Sequence, residues 1–81
     1  MRASLIEVEC RAEYRADESP CRAFVGGHWV GVEEILERWY QGGPVAGEAV
    51  MEFFKVIAED GSEYLFKHDR ELDLWFLERQ W

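Results

Sequence analysis

Eighty-one residues, 48% of them apolar and 15% aromatic, leave room for one domain over 1–81 and exclude a disordered chain. Seventeen acidic residues against nine basic ones give a formal charge of −8 with no basic run, which disfavours duplex nucleic acid as a partner. No apolar stretch approaches the ~20 residues that span a bilayer, and no leader pattern follows Met1-Arg2, so a cytoplasmic protein without membrane attachment is expected.

In chain order, residues 5–14 alternate. Ile6, Val8, Cys10, Ala12 and Tyr14 fall on one face and Glu7, Glu9, Arg11 and Glu13 on the other, which predicts a half-buried antiparallel strand. The polar run 15–20 ends in Pro20 and reads as a loop. Cys21–Val25 and His28–Val32 read as strands joined by Gly26-Gly27, the positive-φ pair that a type I′ turn requires. Over 33–40 two readings compete. Val32, Ile35, Leu36 and Trp39 have helical spacing, but no capping residue or turn separates Val32 from Glu33. A β-bulge near Glu33-Glu34 produces the same phase shift and is the favoured reading. Residues 41–47 form a glycine-rich loop. Residues 48–58 carry large apolar groups on both faces, as a central strand covered on both sides would. Asp60-Gly61 is a second hairpin signal, 63–67 pairs back, 68–73 is a charged connection and 74–79 is the last strand. The fold expected is all-β: about six antiparallel strands in a meander, curled into a small, partly open barrel or roll so that the aromatic face is buried.

A family pattern runs through the same residues. Phe24, Gly27, Trp29 and Val32 lead into Ile35, Leu36, Glu37, Arg38 and Trp39; Phe54 and Val56 follow, then Gly61, Tyr64 and Phe66, then Trp75, Leu77, Arg79 and Trp81. This order resembles a small bacterial all-β domain family of unknown function. Its members read F-x-W-x-G-R-x-Y-x-V-x-x-V-L-D-R-W, then Y-x-L, then W-x-L-x-R-V-W. The resemblance covers most of the chain after Pro20. It departs at Val25 and His28, where the family often has Trp and Arg, so a basic turn tip is missing. Some relatives are encoded near DNA-repair polymerase genes. That implies a cellular setting rather than an activity, and the family brings no catalytic residues.

Little of the chain points to reaction chemistry. His28 and His68 with Cys10, Cys21, Asp69 and Asp73 are the available metal ligands, but no CxxC or HxxxH pair starts a chelate. In the cytosol the two cysteines are expected as thiols, with a bridge between neighbouring strands left open. Ser4, Ser19 and Ser62 sit at the terminus, in a loop and in a turn, and Cys10 belongs to the apolar face of its strand. Gly42-Gly43-Pro44 lacks the Lys-Ser/Thr of a phosphate loop. No cofactor is expected.

Arg38-Trp39 and Arg79-x-Trp81 are more informative, since each sets a guanidinium beside an indole. An arginine stacked on tryptophan contributes ~0.5–2 kcal/mol, and such pairs either seal the end of a barrel or form an exposed patch. With Trp29 and Trp75, the residues Arg38, Trp39, Arg79 and Trp81 make the candidate interaction surface, because Trp and Arg are enriched in interface hot spots. The expected function is a non-enzymatic protein-interaction or accessory module. Its partner would be another protein or a second copy, since a partial barrel leaves edges for a homodimer. The alternatives are an accessory protein that stacks single-stranded nucleic acid in the DNA-repair setting implied by the resemblance, and a small hydrolase or metal-binding protein.

Overall fold

The computed structural model describes residues 4–12, 18–42 and 50–81, and every regular element among them is a strand. These are β1 (Ser4–Ile6), β2 (Val8–Ala12), β3 (Glu18–Val25), β4 (His28–Gln41), β5 (Met51–Ala58), β6 (Glu63–Asp69) and β7 (Leu74–Gln80). All pairings are antiparallel, in the order β1-β7-β6-β5-β4-β3-β2. The all-β expectation holds, with seven strands against about six.

The extra strand comes from the first alternating stretch. Only Glu7 separates β1 from β2, yet they occupy opposite ends of the strand order. One short segment can reach both ends only if the sheet curls back on itself, and it does. Ile6 faces Trp75 of β7, Val8 faces Ala23 of β3, and between them the Phe24 amide donates to the Glu7 carbonyl at 2.9 Å. The result is a curled half-barrel. Ile6, Val8 and Cys10 pack towards the core as the alternation predicts, while Tyr14 lies outside the described residues.

Two hairpins follow their turn chemistry. Gly26 and Gly27 have φ of 62° and 86°, both positive as a type I′ turn demands, and Val25 faces His28 across them. At the next hairpin only Gly61 is positive, at 85°, and the Gly61 amide donates to the Ala58 carbonyl at 2.9 Å. That is a type I turn closed by a glycine bulge.

Three segments depart from expectation. Strand β3 starts at Glu18, so 18–20 are strand rather than loop. Pro20 is accommodated because the ladder is irregular there: Glu9 faces Arg22 but Cys10 faces Pro20, which leaves Cys21 as the extra residue. Strand β6 runs through His68 to Asp69, so His68 ends a strand instead of opening the turn. And 33–40 is strand, with two bulges where one was expected. Val32 faces Ala58 and Glu34 faces Ile57; Ile35 faces Val56 and Glu37 faces Lys55. Glu33 and Leu36 are the extra residues, and two insertions in five positions imitate a helical spacing.

The core is Ala23, Val25, Val30, Phe54, Val56, Ala58, Tyr64, Phe66 and Trp75, with Phe54, Val56 and Phe66 wholly buried. Each large side chain removed from water contributes about 1.5–3 kcal/mol. Strand β5 lies fourth of the seven, central as predicted, and its residues alternate buried and half-buried. The half-buried face, Met51, Phe53, Lys55 and Ile57, has no described element packed over it.

Candidate interaction face

The strand register carries that outer face across the sheet. Trp39 faces Phe53, Phe53 faces Lys67, Lys67 faces Phe76, and Phe76 faces Leu5. Residues directly opposite in a ladder share a face, so these five form one row over β4, β5, β6, β7 and β1. Trp39 and Phe53 stack with centroids 5.3 Å apart and planes 7° from parallel. Lys67 Nζ sits 4.9 Å from the Phe76 ring centre and 2.8 Å from Glu78 Oε1. The neighbouring row runs Glu37, Lys55, Leu65, Arg79. Both of its cations converge on Trp81, Lys55 Nζ at 5.0 Å and the Arg79 guanidinium carbon at 5.3 Å. Each cation–ring contact at this exposure contributes about 0.5–1 kcal/mol. Trp39 remains 36% exposed and Trp81 53%. Lys55, Lys67 and Arg79 share this face with Glu34, Glu37, Glu63 and Glu78, so these side chains sum to only −1 on a molecule of net charge −8.

The opposite face of the same strands ends in a polar chain whose middle members, Glu52 and His68, are buried. The second bulge turns Arg38 inward, where its Nε donates to Glu52 Oε2 at 2.7 Å and its guanidinium lies 4.9 Å from the Phe54 ring centre. Glu52 is 3% exposed. Its other oxygen is 4.0 Å from His68 Nδ1, and His68 Nε2 donates to Asp73 Oδ1 at 2.8 Å. The imidazole stacks on Trp75 at 4.1 Å, with planes 11° apart. Asp73 reaches His68 from a backbone φ of 54°, a left-handed conformation that aspartate tolerates better than most residues. Asp69 shapes the same turn by accepting the Glu71 and Leu72 amides at 3.0 and 3.1 Å. Arg38, Glu52, His68 and Asp73 thus alternate basic and acidic side chains from β4 to the β6–β7 turn. A carboxylate is held in the core because charged and hydrogen-bonding neighbours surround it. The four side chains tie β4 and β5 to the end of β6 and the β6–β7 turn.

At the β3–β4 hairpin, Phe24 and Trp29 meet edge to face, with centroids 5.4 Å apart and planes at 67°. The Arg22 guanidinium carbon lies 4.6 Å from the Trp29 ring centre and its Nη2 donates to Glu9 Oε2 at 2.5 Å. That bond holds the Glu9 carboxyl below the ordinary glutamate value of 4.5 and raises Arg22 in turn. Cys10 and Cys21 are half-buried, His28 is exposed on the turn, and no group of three metal-ligating side chains converges among the described residues.

The six candidate residues are therefore divided among four places. Trp39, Arg79 and Trp81 share the outer face; Arg38 belongs to the inner polar chain and Trp75 to the core; Trp29 stands on the hairpin. Seal and surface are both present: Arg38 closes the inside and its neighbour Trp39 looks out. Sequence reasoning missed Phe53, Phe76, Lys55 and Lys67 as parts of the outer face, and missed Glu52. The signal for Glu52 was available, since its phase in 50–58 matches Phe54, Val56 and Ala58. No described helix is long and apolar enough to cross a membrane. Compared with known proteins, the chain matches no family model, no curated protein and no solved structure.

Proposed function

We propose that this is a non-enzymatic protein-interaction module of the cytosol, which presents the outer face of β4–β7 to a protein partner. One observation carries the reading: the row Trp39, Phe53, Lys67, Phe76, Leu5 crosses five strands and no described element lies over it. Apolar surface of this extent, rimmed by charge, marks interaction sites on soluble proteins. Trp39 at one end of the row and Arg79 in the row beside it are of the types that dominate binding energy. The near-neutral balance of the face suits contact with a protein, since it spares the partner a large charge-desolvation cost.

The test compares wild type with Phe53→Ser and Trp39→Ala in affinity capture from the native host, with circular dichroism on each. The expected result is that both variants keep the β-sheet spectrum and lose the captured partner. A folded Phe53→Ser protein that retains every partner overturns the proposal.

Single-stranded nucleic acid ranks second, supported by the interleaving of Lys55, Lys67 and Arg79 with Phe53, Phe76 and Trp81 on one open sheet. Stacking of this kind needs a cationic track, and Glu37, Glu63 and Glu78 share the strands. This reading predicts retention of oligo-dT on filters at low salt that falls steeply as salt rises.

A further inference from the structure

Where the first strand changes partners, the barrel surface opens into a groove of about 800 Å³. Its walls come from three places that the fold brings together only here: the β1–β2 junction, the β3–β4 hairpin and the start of β7. Three aromatic rings line it, Phe24, Trp29 and Trp75. Three carboxylates stand on the same walls, Glu7, Glu9 and Asp73, and no lysine, arginine or histidine is among the lining residues. Aromatic faces next to carboxylates form a site for an organic cation: the ring quadrupole and the formal charge attract the same ligand.

The molecule already displays the chemistry at the rim. Arg22, which is outside the groove lining, lays its guanidinium over Trp29 and bonds Glu9. A planar guanidinium stacks and forks in this way, whereas an ammonium acts as a point charge. Glu7 is exposed and makes no ion pair among the described residues, and Asp73 is 80% exposed although one oxygen holds His68. Both are therefore open to solvent on a groove with apolar walls.

We infer that this groove receives an arginine side chain from an extended, basic segment of a partner protein. Apolar groups flanking that arginine lie against Leu5, Val8 and Leu74, which share the lining. The net charge of −8 steers such a segment toward the protein, and long-range attraction of this kind raises the association rate. The site shares Leu5 with the far end of the outer-face row and otherwise lies away from the Trp39–Phe53 stack.

The experiment titrates the full chain with a short peptide of alternating leucine and arginine, and with the same peptide carrying citrulline for arginine. Citrulline keeps the shape and removes the charge. Binding is read by calorimetry at low and at physiological salt. The arginine peptide is expected to bind at least about tenfold tighter than the citrulline peptide, as loss of a charge-assisted bond implies. Glu7→Gln is expected to weaken it by about tenfold. That substitution spares the fold, because the Glu7 backbone carbonyl, not its side chain, ties the seam to Phe24. Phe53→Ser, on the other surface, leaves the affinity unchanged. Equal affinity for the two peptides, an unaltered Glu7→Gln titration, or no heat at millimolar peptide each overturns the inference. So does arginine amide binding as tightly as the peptide, which would assign the groove to a small free cation.

Discussion

The two faces of β5 are built from nearly the same side chains and have opposite fates. Phe54 points inward and is wholly buried against Trp75; Phe53, one residue earlier, points outward and keeps only Trp39 as a stacking partner. Glu52 on the inner face is sealed by Arg38, and Lys55 on the outer face lies across an exposed Trp81. The inner face is apolar because it is the core. The outer face sets aromatic rings among lysines and glutamates without being core, which is more exposed ring surface than folding requires.

The contrast is sharpest in stability. Phe54→Ala is expected to cost about 3–5 kcal/mol, since a wholly buried ring leaves both lost transfer energy and a cavity. Trp39→Ala on the outer face is expected to cost only about 0.5–1.5 kcal/mol, the value of one aromatic pair. Urea unfolding of both variants tests the pair, and equal losses would mean that something covers the outer face. Arg38→Met comes next, at about 3 kcal/mol, because it strands the Glu52 carboxylate in the core. Adding Glu52→Gln to that variant is expected to restore part of the loss, and a double-mutant cycle reads the coupling.

The smallest effect concerns the ion pair on the hairpin side. Its hydrogen bond to Arg22 lowers the Glu9 pKa in the folded state. A lowered pKa contributes stability that is present above the unfolded value and is lost as pH falls through the folded one. Side-chain NMR titration should place the Glu9 midpoint below 4.5, and Arg22→Met should return it to the ordinary range. Because both groups are exposed, the unfolding midpoint at neutral pH should move little.

What could be read without coordinates was what lies within a few residues along the chain. Gly26-Gly27 and Asp60-Gly61 announced their hairpins because backbone handedness is a local property. The large apolar groups on both faces of 48–58 announced a central strand because side-chain phase is local too. Partner choice is not. Residues 5–12 alternate without a break, and nothing in that pattern says that Ile6 pairs with Trp75 while Val8 pairs with Ala23. Bulges escape for a related reason. The second one, at Leu36, is defined by what stands opposite on β5, and it cancels the phase shift of the first at Glu33, so that together they leave Arg38 turned in and Trp39 out. Trp75 and Trp81 look equivalent in the sequence, yet one stacks on His68 in the core and the other is a surface platform for two cations.

The seam at Glu7 also sets a timetable. Ser4 pairs with Leu77, so the contact that closes the barrel on one side joins residues at the two extremes of the described chain. The hairpins β3–β4 and β5–β6 need only neighbours and can form as soon as they are made. The β1 contact has to wait for β7, and loop closure over so long a span is slow. Until then the free edge of β7 and the apolar side of residues 4–10 are both exposed to pairing with other chains. Folding experiments should therefore find a late phase that Ile6→Ala slows and Val30→Ala does not.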